Sequence, residues 1–76
     1  MEARGELEAA DERVQHLIAA LERRTVIGQA TGIVMERYML RPEAAFAALL
    51  RVSSERNRKV YDIAEELVNK GRAEGL

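Results

Sequence analysis

The chain contains no cysteine and no tryptophan, one proline, one histidine and three aromatic residues among its 76. Each scarcity removes a class of protein. Without cysteine there is no disulfide and no thiolate metal site to staple a small core. With His16 as the only histidine, a zinc or catalytic site built on paired imidazoles has no material. No apolar run approaches the roughly 18 residues that a membrane span needs. The acidic first dozen residues do not read as a secretory leader, which begins basic and then turns apolar. A bacterial cytoplasm is the compartment this pattern leads us to expect.

At this length there is room for one small domain, and a domain of this size is marginal alone. Partner chains are therefore an expected source of stability. The net charge of −1 hides a pattern. Residues 1–24 sum to −2, residues 25–60 to +3 and residues 61–76 to −2, so the middle of the chain is basic and its flanks cancel it.

Apolar residues recur at helical spacing and β-branched residues do not alternate with polar ones, so the reading is all-α with three helices. The first is predicted from about Glu6 to Leu40. Its opening carries Leu7, Ala10, Val14, Leu17 and Leu21 at alternating steps of three and four, the seam of a short coiled coil. Beyond Arg24 the stripe drifts to Ile27, Ala30 and Val34, with Met35 and Tyr38 as further packing positions. The seam reads in two ways: as a homodimer contact over residues 1–24, or as an amphipathic helix folded back on its own domain.

Pro42 fits the first turn of a second helix, predicted to run to about Ser54 with Ala45, Phe46, Leu49, Leu50 and Val52 inward. Asn57 is the expected N-cap of a third helix ending near Lys70, with Val60, Ile63, Ala64, Leu67 and Val68 on one stripe. Gly71 stands where a C-cap glycine belongs, and residues 71–76 are expected to fray. Tyr38, Phe46, Met35 and Met39 are all assigned to packing.

Catalysis has little to draw on. His16 sits among polar neighbours on the pairing helix, Ser53 and Ser54 lack a base to activate them, and Gly28 and Gly32 follow no strand as a phosphate loop would. We expect no catalytic residue, no metal and no cofactor. The segment Arg51-Val-Ser-Ser-Glu-Arg-Asn-Arg-Lys59 does stand out, with four bases and one acid at a helix junction. Basic side chains at a helix start attract phosphate, and Ser53 and Asn57 add groups that can read base edges. The plainer reading is a solvated turn with local pairs such as Arg58 with Asp62. Tyr61, one turn on, is either a stacking platform for an unpaired base or a half-buried core residue.

Residues 25–70 resemble the ANTAR domain family. In that family the first helix carries a stretch close to Ile-x-Gln-Ala-Lys-Gly-Ile-Leu-Met-x-Arg, and here it reads Ile27-Gly-Gln-Ala-Thr-Gly-Ile-Val-Met-Glu-Arg37. The acid, alanine, aromatic and leucine of the second helix are matched by Glu43, Ala45, Phe46 and Leu49. The family's junction, close to Arg-x-Ser-x-x-x-Asn-Arg-Lys-Leu-x-Asp-Val-Ala, is matched by Arg51, Ser53 and Asn57-Arg-Lys-Val-Tyr-Asp-Ile-Ala64. The resemblance implies a long N-terminal coiled-coil helix running into a three-helix ANTAR bundle over residues 25–70. It implies recognition of paired stem-loops in nascent leader RNA, which prevents formation of a terminator. It also implies a homodimer and a receiver, GAF or PAS-type sensor as input.

On this reading Arg51, Arg58 and Lys59 contact phosphate, while Ser53, Asn57, Thr31 and Tyr61 contact loop bases. Thr31 stands where a lysine is common, and Tyr61 where arginine or another polar residue is frequent. Two other classes fit the residues less well: a helix-turn-helix DNA binder, and a dimeric protein-interaction module of this fold without RNA binding.

Overall fold

The computed structural model describes residues 2–76, with side chains from residue 9 onward. Three α-helices form in order: α1 (Glu2–Tyr38), α2 (Pro42–Arg56) and α3 (Val60–Lys70). Among the described residues there is no strand. α1 is unbroken for 37 residues, so at about 1.5 Å per residue it alone accounts for the 55 Å long axis.

The three helices meet in one core, whose largest fully buried side chains are Val34 of α1, Leu49 and Val52 of α2, and Ile63 and Leu67 of α3. Ala30, Ala45 and Ala64, one from each helix, have no exposed surface at all. A methyl group at such a position lets helix backbones approach closely. Ile27, Met35, Val60 and Val68 pack partly buried around this centre. Four residues assigned to the interior fall outside it: Phe46, Leu50 and Tyr38 are two-fifths to one-half exposed, and Met39 is 86% exposed. α2 and α3 are short and the core they share with α1 is too small to enclose a full apolar stripe, so α2 buries Ala45, Leu49 and Val52 and turns Phe46 and Leu50 outward.

Both interhelix turns use left-handed residues. Met39 (φ 53°) ends α1, and the amide of Leu40 returns to the carbonyl of Met35 at 3.0 Å. Asn57 (φ 52°) ends α2, with the amide of Arg58 bonded to the carbonyl of Ser53 at 3.0 Å. The expectation that Asn57 caps the start of α3 is thereby corrected: it is the C-cap of α2, and Lys59 occupies the N-cap of α3 without a side-chain cap bond. Asparagine suits either place, since it accepts from helix N-termini and tolerates the left-handed region better than most residues.

α3 ends at Gly71 in the left-handed region (φ 73°), as expected. The tail that follows does not fray. Ala73 is buried, Leu76 packs against the core, and the Tyr38 hydroxyl donates to the Leu76 carbonyl at 2.5 Å. The Arg37 guanidinium donates to the Gly71 carbonyl. Gly75 (φ 92°) passes so near Val52 that a Cβ would lie 3.2 Å from its methyl groups.

Met39 carries the steric cost of a left-handed Cβ with almost no packing in return. Met39→Gly is therefore expected to stabilise the fold by about 1 kcal/mol, read as an increase in the urea midpoint. Leu49→Ala should destabilise it by roughly 2–5 kcal/mol by opening a cavity at the centre.

Candidate nucleic-acid interface

The basic segment lies where α2 stops and α3 begins. Arg51, Ser53 and Arg56 belong to the last turns of α2, Asn57 to Lys59 form the link, and Tyr61 sits in the first turn of α3. The chain turns sharply here because Asn57 reverses the helix, and this brings Arg51, Ser53, Asn57, Arg58 and Lys59 to one end of the bundle. All but Ser53 are exposed.

Ser53 is occupied locally. Its hydroxyl donates to the Arg58 carbonyl at 2.5 Å, fastening the link to the last turn of α2. Thr31 is not part of this cluster. It lies on α1 facing the start of α2, in a trough it shares with Pro42, Glu43 and Phe46, and its hydroxyl donates to the Ile27 carbonyl at 2.7 Å.

Each arginine of the junction has a carboxylate. Arg58 meets Glu66 at 2.7 Å, Arg56 meets Glu74 at 2.7 Å, and Arg51 stands 3.9 Å from Glu55. The sequence suggested Asp62 as the local partner of Arg58. Because α3 starts only at Val60, Arg58 lies outside the helix and its side chain reaches Glu66 instead. Among the described residues Lys59 has no such ion pair. Exposed pairs of this kind contribute at most about 1 kcal/mol each, so an incoming phosphate can displace the carboxylate at small cost. Among the described residues the junction thus presents one cation without an ion pair, Lys59, and three exchangeable ones, Arg51, Arg56 and Arg58.

Tyr61 is half-buried, with its hydroxyl donating to Glu65 at 2.9 Å and the Arg23 guanidinium 5.9 Å from its ring centre. The hydrogen bond to Glu65 and then burial raise its pKa above 10.0, against the pull of Arg23, so the phenol stays neutral. Arg23 is a residue the sequence reading missed. It lies 38 positions from Tyr61 on a helix read there as a pairing segment, and only the packing of α1 against α3 brings the two together. Among the described residues no cluster of histidine and acidic groups could hold a metal ion.

The Arg58 hydrogen bond holds the Glu66 carboxyl below its ordinary value of 4.5. A carboxylate with a depressed folded pKa adds stability that is present above the unfolded value and lost as pH falls through the folded one. The stability difference between the native chain and Glu66→Gln should accordingly be steady near neutral pH and shrink as pH drops below 4.5, measured by thermal unfolding across an acid titration.

The chain matches the family model of the ANTAR domain over residues 15–68, which is 54 of its 76 residues. No curated protein and no solved structure matches it. The match takes in all of α2, most of α3 and the second half of α1, including every residue of the basic junction. The chain therefore belongs to the ANTAR domain family.

Proposed function

We propose that this chain is the RNA-binding output module of a bacterial transcription antitermination regulator. It recognises paired stem-loops in nascent leader RNA and holds them in a form that excludes the terminator hairpin. ANTAR domains are RNA-binding regulatory modules rather than enzymes, and the observation that carries the reading is the family match across the whole junction. The exposed cations at the α2–α3 link support it. Arg51, Arg58 and Lys59 contact phosphate, Asn57 and Tyr61 reach loop bases, Ser53 shapes the link between them, and Thr31 makes a separate contact from α1.

The module acts as a homodimer through Leu7, Ala10, Val14, Leu17 and Leu21. Leu7 lies outside the described side chains. The other four are exposed, with Leu17 at 61%, so the face of α1 that carries the seam is open to a partner. A receiver, GAF or PAS-type sensor in the same or a partner protein supplies the input, in the cytoplasm. Among the described residues no helix is long and apolar enough to cross a membrane.

A second reading, a protein-interaction module of this fold that has lost RNA binding, draws on one observation: the three junction arginines already face carboxylates. Both readings, and the DNA-binding one, meet in a single experiment. Binding to a two-hairpin leader RNA is followed by fluorescence anisotropy across a salt titration, with single-hairpin RNA and duplex DNA as competitors. The native protein should prefer the two-hairpin RNA. Arg58→Ala with Lys59→Ala should weaken binding and flatten the log–log salt slope by about 1.5, as two phosphate contacts are lost. An unchanged slope sinks the site assignment; equal competition by duplex DNA favours the helix-turn-helix reading; and no binding to any nucleic acid favours the protein-interaction module.

A further inference from the structure

The fold rearranges the charge pattern of the sequence. The junction from Arg51 to Lys59 carries four bases and one acid, a local charge of +3. Two further carboxylates reach it from the acidic stretch 61–76. Glu66 of α3 lies 2.7 Å from the Arg58 guanidinium, and Glu74 of the tail lies 2.7 Å from that of Arg56. With these two acids beside it the local charge falls to +1. The basic middle of the chain is thus masked by the acids that follow it.

Both masking pairs join backbones that are fixed. Arg58 is held at its amide and its carbonyl by bonds to Ser53, while Glu66 is carried on α3 next to the buried Leu67. The tail is pinned on either side of Glu74: Ala73 is buried, and Leu76 packs against the core with its carbonyl bonded to Tyr38. Between them Gly75 passes so near α2 that a Cβ would lie 3.5 Å from Arg56 Nε. Each pair is as short as a charge-assisted hydrogen bond. Arg51 differs, since at 3.9 Å from Glu55 it is beyond hydrogen-bond reach. Arg56 falls on an unspecified position of the family's junction stretch, so only the structure brings it forward.

We propose that Glu66 and Glu74 are internal competitors that set the junction's affinity for RNA, and that Arg56, held by Glu74, is a phosphate contact alongside Arg58. This rests on the RNA reading above and deepens it. A guanidinium that faces a carboxylate must leave it before it can face a phosphate. The carboxylate left behind then stands beside the incoming anion and repels it. Both effects lower affinity. A polyanion therefore meets the junction first through Lys59 and Arg51, and gains Arg56 and Arg58 only by exchanging one anionic partner for another.

The test is an anisotropy titration of the two-hairpin leader RNA with the 76-residue chain and near-isosteric variants, each checked for native helix content by circular dichroism. Glu66→Gln and Glu74→Gln should each tighten binding by roughly two- to fivefold, the range of an exposed ion pair, and the double variant by about the product. Glu36→Gln removes the same charge beside the α1–α2 turn, at the other end of α2, and should change affinity by less than about 1.5-fold because salt screens that distance. Each carboxylate acts through its own arginine. The gain from Glu66→Gln should therefore largely vanish in an Arg58→Ala background, and that from Glu74→Gln in an Arg56→Ala background. If the native chain binds RNA and both variants gain no more than Glu36→Gln, the proposal is overturned while the RNA reading stands. Gains that persist in full without the partner arginine would overturn it too, since they would report net charge alone. If neither the native chain nor any variant binds RNA, the RNA reading falls and the proposal falls with it.

Discussion

Everything in this molecule depends on how closely three helices can approach one another. Ala30, Ala45 and Ala64 contribute one fully buried methyl group from each helix, and the larger residues Leu49, Ile63 and Leu67 fill the space that remains. With so few residues the core is complete after two buried positions on α1 and three on each of α2 and α3. Any further apolar side chain has to remain at the surface. The half-exposed Phe46, Leu50 and Tyr38 are products of that limit, and so is the strength with which the tail is held, since Ala73 and Leu76 supply apolar cover that the helices alone do not provide.

The junction between α2 and α3 shows a different economy. Its arginines are poised on carboxylates, Glu55 and Glu74 exposed and Glu66 partly so, and solvent reaches each pair. Such contacts keep long side chains from collapsing at random onto the surface, yet they yield readily to a more concentrated negative charge. Ser53 and the left-handed Asn57 set the backbone from which these side chains spring. A rigid turn bearing exchangeable cations is suited to a ligand whose charge lies on a repeating backbone, which is the chemistry of the family to which the chain belongs.

The sequence was most informative where periodicity is long. The three helices, Pro42 at the start of α2 and Gly71 at the end of α3 were all legible, because each follows from local sterics. Asn57 was misplaced because the residue types that begin a helix overlap those that end one, and only the φ of the neighbouring backbone separates the two. Phe46 and Met39 were misjudged because exposure depends on how much core is left to fill, a property of the whole assembly. The Arg23–Tyr61 contact and the Arg56–Glu74 pair join positions far apart in the chain, and no spacing rule reaches them. At the site, the cluster from Arg51 to Lys59 was visible as charge density, but which of its members are already engaged was not.

One consequence follows from the continuity of α1. A helix of 37 residues with no break, proline or bulge has no joint at which its two ends can turn independently. Each residue added or removed in its N-terminal half would swing the bundle by about 100° about the helix axis. The azimuth at which any upstream module delivered α1 would thus set the azimuth at which the basic junction faces outward. Upstream input would act here as torque on a shaft, and the spacing between input module and bundle would be quantised by the helical repeat.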